Sequence, residues 1–335
     1  MGLPQLDPSA PFWWRDGERV IHYGRGKVED ALDVLPAGYV LLTTVRARAH
    51  APEVVAHAAA VHDVPHGQVD AVAGELRSQV HGEWLVALGG GRVIDVAKAL
   101  AAADPPRRAA AVPTTLSAAE MTSLHRHARG VPAGTPHVRP AIVINDPALS
   151  ASQPEPALTA SALNALGHAV EAPLTTRAAP VATLAAHAGA RLLARAFDEA
   201  EAPSRDALAL GALLSGYAAD AAGYGLHHVM SQTLARVAGV AHAAANAIML
   251  AHTTRALEQR SPLAIEELEA SMEEDPESVA ARLAFRAGPV RLRHHGVTAE
   301  TLGECADAAL KRAELAFTPP AADRAELLAL YEAAW

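Results

Sequence analysis

The stretch "LVALGGGRVIDVAKALA" (85–101) runs from an apolar segment through three consecutive glycines into a helical pattern. Glycines at a strand-to-helix turn let the backbone come close to a ligand. The helix that follows offers its unpaired N–H groups and the positive end of its dipole to a phosphate. This pattern suits a nucleotide or dinucleotide, although a tight turn alone would use the same glycines. The neighbouring "VPTTLSAAEMTS" (112–123) strengthens the first reading. It places Thr114, Thr115 and Ser117 at the end of the next apparent strand, the edge where open α/β sheets bind ligands, with hydroxyls suited to a diphosphate, ribose or nicotinamide amide.

Further buried strands are expected at "YVLLTTV" (39–45), "WLVALGGG" (84–91), "AAAVPTT" (109–115) and "RPAIVIND" (139–146), with alanine-rich amphipathic segments between the first of them. "RVIHYGRG" (19–26) reads as a further edge strand ending in a glycine turn. Alternating strands and helices imply a parallel sheet in an α/β layer. After the Pro- and Ser-rich connector "DPALSASQPEPAL" (146–158) the β-branched runs stop. Ala/Leu patterns such as "PVATLAAHAGARLLARAF" (180–197) and "SRDALALGALLSGYAADAAG" (204–223) then predict an all-helical second domain. The boundary falls near residue 153, giving domains at 1–153 and 154–335. The acidic run 266–278 reads as a solvated helix end and loop.

A chain of 335 residues fits two domains. Its 4% aromatic content beside abundant alanine favours helices packed through small side chains. The net charge of −9 argues against a nucleic-acid surface and for a small-molecule substrate. One cysteine, Cys305, allows no internal disulfide; neither a secretory signal nor a membrane span is read, so a cytoplasmic protein is expected. The 17 histidines call for separate inspection.

In "SALNALGHAV" (161–170), Asn164 and His168 lie four apart and share a helix face, and in "GLHHVMSQTL" (225–234), His228 and Gln232 do the same. His242 follows the break at Gly239. Each histidine alone fits a structural role, but together the positions form a candidate pocket.

Taken in order, "GGGRVIDVAKA", "VPTTLSAAEMT", "LNALGHAVEA", "GLHHVMSQTL" and "VAHAAANAIML" resemble the iron-containing alcohol dehydrogenase family, similar in fold to dehydroquinate synthase, and more narrowly its maleylacetate reductase branch. The resemblance runs from about residue 19 to the C-terminus. It implies an N-terminal Rossmann-like α/β domain binding NAD or NADP through Gly89, Gly90, Gly91, Arg92, Asp95, Lys98, Thr114, Thr115 and Ser117. It also implies an all-α C-terminal domain, hydride exchange between nicotinamide and a carbonyl or alcohol carbon, and a homodimer.

The family's metal site, an aspartate and three histidines, falls here on Asn164, His168, Gln232 and His242. Asn164 and the His227–His228 pair match the maleylacetate reductase branch, whereas Gln232 departs even from it. A set of two amides and two imidazoles, with no anion, is expected to hold no functional metal. The expected catalytic groups are then His168, His228 and His242, which can stabilise the developing charge by hydrogen bonding or, with a reference pKa near 6.5, by proton donation, with Asn164 and Gln232 as orienting or polarising amides.

Arg92 stands where the family usually has serine. No acidic residue follows "YVLLTT" to exclude a 2′-phosphate, and Arg46 or Arg48 would favour NADP. In "LHRHARGVPAGTPHVRP" (124–140) the family's basic stretch is missing, though Arg126, Arg129 and Arg139 remain, and the C-terminal segment lacks the branch's arginine after the proline. The leading expectation is a metal-independent, NAD(P)H-dependent reductase of a small oxo-acid or related carbonyl compound. The alternatives are a non-redox dehydratase, cyclase or lyase on the same scaffold, and a catalytically silent binding protein.

Overall fold

The computed structural model describes residues 5–150, 153–198 and 202–335. Residues 1–4, where a leader would begin, and Ala151 and Ser152 of the connector lie outside them. The chain divides into two compact units, Leu6–Gln153 and Pro154–Trp335 with Gln5.

The first unit holds seven strands: β1 (Phe12–Asp16), β2 (Arg19–Tyr23), β3 (Val40–Thr43), β4 (Ala60–Asp63), β5 (Trp84–Gly89), β6 (Arg108–Pro113) and β7 (Ile142–Asn145). They form one sheet in the order β1-β2-β7-β6-β5-β3-β4. All neighbours are parallel except β1 and β2, which form an antiparallel hairpin. β5 is buried from Leu85 to Gly89. The helix Gly91–Ala103 packs Val93, Val96, Ala97 and Leu100 into the same core as Leu85 and Ala87. Each fully buried Val or Leu side chain contributes about 1.5–3 kcal/mol to that core.

Two strands carry no buried apolar run and escape a reading based on one. β1 alternates between intermediate and exposed residues, and most of β4 is exposed, as befits the two edges of the sheet. The only local signal for the β1–β2 hairpin is Asp16-Gly17, with Gly17 at φ +62°. The edge placement expected for 19–26 is corrected: β2 lies between β1 and β7, with Ile21 and Tyr23 fully buried.

The chain passes outward from β3 to the β4 edge, returns to β5 on the other side of β3, and continues through β6 to β7. The strand order therefore reverses between β3 and β5, and at the carboxyl ends of such a pair the connecting segments diverge and leave a crevice.

Regular structure in the second unit is helical among the described residues. The principal helices are Glu155–Glu171, Pro180–Arg195, Arg205–Ala222, Leu226–Val237, His242–Arg260, Pro262–Met272, Pro276–Ala287, Ala299–Leu310 and Arg324–Ala334. Small residues set the closest packing. A Cβ on Gly189 would stand 2.9 Å from the Gly211 carbonyl oxygen, and one on Gly211 3.1 Å from that of Gly189. The helix Glu155–Glu171 is buried from Leu158 to its end and runs through the middle of this unit. The acidic run ends one helix and begins another, with Asp275 capping Pro276–Ala287 through Ser278 N. Among the described residues no helix is long and apolar enough to cross a membrane.

Candidate functional site

In the α/β unit, a cavity of about 720 Å³ opens at the β3/β5 divergence. Gly90, Gly91, Arg92, Thr114 and Thr115 line it, as do Thr44, Arg46, His50 and His66. The glycines are not there for a left-handed backbone, since Gly90 has φ −82° and ψ −175°. They serve close approach. A Cβ would lie 2.7 Å from Val93 Cγ2 at Gly89, 2.9 Å from Thr115 Cγ2 at Gly90 and 3.0 Å from Ser117 at Gly91. Removing them would push the turn off the end of β6. The Thr115 hydroxyl is buried without a hydrogen-bond partner at the start of the helix Gly91–Ala103, a polar group that a phosphate there would satisfy.

Arg92 lies beside the cavity and its Nη1 donates to His66 Nδ1 at 3.2 Å. Four residues expected to contact the cofactor do not line the cavity: Gly89, Asp95, Lys98 and Ser117. Lys98 is fully buried, and its Nζ donates to the carbonyls of Ala119, Thr122 and Leu124 at 2.9 Å each while pairing with Asp95 at 2.8 Å. It staples the segment after β6 rather than presenting charge to a ligand. Arg48 is held by Asp63, leaving Arg46 as the arginine of that pair at the cavity. Arg129 pairs with Asp70, and Arg139 with Asp16 and Glu18.

In the helical unit, the structure brings the expected histidines together. His168 and His228 stack with centroids 4.1 Å apart and planes 9° from parallel, and His227 meets His228 edge-on at 4.8 Å. Asn164 Nδ2 is 3.5 Å from His168 Nε2. His242, exposed at the start of its helix, lies 3.2 Å from Asn246 Nδ2 and is close enough that its charged form would oppose protonation of His168 and His228. Gly167 is required for this packing, since a Cβ there would stand 2.6 Å from His227 Nε2.

Burial pushes His227 and His228 down to about 3 and His168 well below the usual histidine value, each further lowered by neighbouring histidines. With their pKa values lowered in this way, His168, His227 and His228 are neutral at neutral pH, and of the two roles expected for His168 and His228, proton donation or hydrogen bonding, the second fits these surroundings. His168 Nδ1 and His228 Nε2 are buried without a hydrogen-bond partner.

Four important residues escaped the sequence reading. Glu171 is fully buried; its Oε2 accepts from His228 Nδ1 at 2.7 Å, and its carboxylate takes the backbone N–H of His227 at 2.6 Å and of His228 at 3.3 Å. It anchors the N-terminus of helix Leu226–Val237 and fixes the His228 tautomer. Burial raises its pKa, against the lowering effect of His227 and these backbone bonds. The other three surround Gln232. Its Oε1 accepts from Arg312 Nη2 at 3.1 Å and from the Tyr224 hydroxyl at 3.4 Å, and Arg312 pairs with Glu314 at 2.7 Å. The only signal for Glu171 lay inside "LNALGHAVEA"; Arg312 lies 80 residues from Gln232 and gave none.

Residues 158–335 match the model for the C-terminal part of the Fe-containing alcohol dehydrogenase family, and residues 37–154 match an iron-containing alcohol dehydrogenase model. Maleylacetate reductase of Pseudomonas knackmussii is 31% identical over 299 residues, covering 85% of this chain and 84% of that protein. Among solved structures, maleylacetate reductase from a Rhizobium species aligns with TM-score 0.80 and 25% identity over 97% of this chain and 98% of that one. An iron-containing alcohol dehydrogenase from Corynebacterium glutamicum gives 0.81 and 27% over 94% of each. With family models matching residues 37–154 and 158–335 and a maleylacetate reductase 31% identical over 85% of the chain, the protein belongs to the iron-containing alcohol dehydrogenase family, in the maleylacetate reductase branch, and is an oxidoreductase.

Proposed function

We propose that the protein is an NAD(P)H-dependent reductase of a small oxo-acid or related carbonyl compound that works without a catalytic metal. The observation that carries the metal-free reading is the fate of Gln232. Its amide oxygen, the donor a metal would need, is engaged by the guanidinium of Arg312. Asn164, His168, Gln232 and His242 thus offer a neutral donor set beside a fixed cation, which does not fit a divalent ion.

For the dinucleotide the residues do fit: the glycine turn, the Thr115 hydroxyl and the helix N-terminus would hold the diphosphate, with Thr114 and Arg92 beside it. When bound, NAD(P)H supplies the hydride. In the helical unit, Asn164 Nδ2 faces His168 Nε2, so the proton of neutral His168 sits on Nδ1, where it can donate to a carbonyl oxygen as negative charge develops. A neutral imidazole in this role stabilises charge by hydrogen bonding without giving up a full proton, and the alkoxide left by hydride transfer would take its proton from water. Glu171 holds the His228 proton on Nδ1, leaving Nε2 as an acceptor that the same carboxylate would stabilise on protonation.

Maleylacetate is one substrate to test, by analogy with the relatives' activity. The pairing of Arg129 and Arg139 with carboxylates leaves these cations engaged rather than free for a dicarboxylate, and widens the search to simpler oxo-acids. The decisive experiment combines elemental analysis with NADH and NADPH oxidation on a panel of oxo-acids, before and after chelation. Chelator-resistant turnover is expected; activity that tracks stoichiometric Zn or Fe overturns the metal-free reading. The Glu171–His228 pair also suits non-redox acid/base chemistry, which substrate turnover without NAD(P)H oxidation would establish. A cytoplasmic homodimer belongs to the same reading, and sedimentation equilibrium tests the dimer.

A further inference from the structure

The segment 114–141, between β6 and β7, contains no helix or strand yet is held in place. Lys98 takes three of its carbonyls, Arg19 donates to Met121 O at 2.6 Å, and Arg129 N donates to Asp70 O at 3.0 Å. A long irregular segment fixed in this way commonly carries function. It brings together His125, His127 and His137, each offering a ring nitrogen, with these atoms all within 4.8 Å of one another. The rings pack at centroid distances of 5.3, 4.8 and 4.4 Å.

We propose that His125, His127 and His137 form a binding site for a divalent transition-metal ion in the α/β unit. Two features support it. His125 Nδ1 lies 3.1 Å from Arg126 O and His137 Nε2 lies 3.0 Å from His125 O. Carbonyls only accept, so those nitrogens carry the protons and the lone pairs remain on His125 Nε2 and His137 Nδ1. Such carbonyl-anchored imidazoles are the usual arrangement behind metal-ligating histidine. His127 has both ring nitrogens buried with no hydrogen-bond partner among the described residues, the kind of orphaned polar group that signals an absent ligand.

One competitor is present: Val138 N donates to His125 Nε2 at 3.2 Å, a neutral bond that a metal would displace. In tetrahedral coordination the nitrogens stand about 3.4 Å apart, so the widest pair must close by about 1.4 Å. His137 is exposed and can make that movement. Three imidazoles without a carboxylate select Zn²⁺, Co²⁺, Ni²⁺ or Cu²⁺ over Mg²⁺ and Ca²⁺. The exposed side leaves a fourth position for water. A bound ion would cross-link residues 127 and 137 and stiffen the segment that begins at Thr114 and Thr115.

The test uses chelator-stripped full-length protein equilibrated with Zn²⁺, measured by elemental analysis and thermal unfolding, with Co²⁺ as an optical probe of tetrahedral coordination. The expected result is one equivalent bound with micromolar Kd or tighter, and a Tm rise of about 5 °C at saturation. Binding should be lost in His137→Ala, an exposed position whose removal spares the core, and retained in His242→Gln. His127→Gln should lose the Zn²⁺-dependent rise in Tm while keeping a cooperative transition. Absence of stoichiometric binding, its persistence in His137→Ala, or its loss in His242→Gln would each overturn the proposal.

Discussion

If Arg312 is what opposes a metal in the helical unit, restoring the family's ligands should not suffice until its charge is removed. A divalent ion about 2 Å from a donor atom at position 232 would lie within about 5 Å of the Arg312 guanidinium, whose Nη2 is now 3.1 Å from Gln232 Oε1. At an effective dielectric of about 20, a doubly and a singly charged cation at about 5 Å repel by about 7 kcal/mol. Glu314, paired with Arg312 at 2.7 Å, acts in the opposite sense. From about 7 Å it recovers about 5 kcal/mol, leaving a net opposition of about 2 kcal/mol, or ~30-fold in Kd. The perturbation is therefore made in two steps. Asn164→Asp with Gln232→His supplies the missing ligands; Arg312→Gln with Glu314→Gln then removes both charges together, so that neither is left unpaired. Zn²⁺ affinity is measured by calorimetry in a His137→Ala background, which removes the histidine cluster of the α/β unit from the count. The second step should tighten Kd by about 30-fold. An unchanged Kd would refute the assigned role of Arg312, and no binding after both steps would mean that the four positions do not converge.

Acid should destabilise the helical unit through its buried histidines. Their folded pKa values lie below the unfolded value of about 6.5, so below that pH the unfolded chain binds more protons and stability falls by about 1.4 kcal/mol per pH unit for each histidine. Glu171, raised by burial, contributes with the opposite sign. Thermal unfolding should show Tm dropping between about pH 6.5 and pH 5, and a flat profile would contradict neutral buried rings. In the α/β unit, Gly90→Ala places a Cβ 2.9 Å from Thr115 Cγ2 and should raise KM for NAD(P)H by about 10-fold with a smaller effect on kcat. Steady-state kinetics at saturating carbonyl substrate would check it, and an unchanged KM would move the cofactor away from this turn. Lys98→Met removes three buried hydrogen bonds and should cost about 3–5 kcal/mol in chemical denaturation. A variant of unchanged stability but raised cofactor KM would restore Lys98 to the dinucleotide site.

Local pattern was enough for much of this protein. The apolar run, glycines and helical pattern at 85–101 place a strand, a tight turn and a helix in immediate succession, because each is set by neighbours in the chain. The i, i+4 spacing of Asn164 with His168 puts them on one helix face for the same reason. The edge strands β1 and β4 were missed because an exposed strand needs no buried apolar run. For Lys98, the sequence shows only a lysine on the helix that follows the glycine turn. Only the folded chain shows its ammonium enclosed by three carbonyls, leaving no free charge for a ligand.

The candidate sites divide in the same way. The sequence by itself determined the residue types: two amides where the family carries charged or imidazole ligands, and three histidines in a loop with no assigned role. Tertiary structure alone decided what those atoms meet. It set Arg312 against Gln232 across 80 residues, placed Glu171 behind His228, and stacked His168 on His228 in surroundings too poorly solvated for either to hold a second, charging proton. Electrostatics and desolvation depend on distance and burial, and chain separation encodes neither.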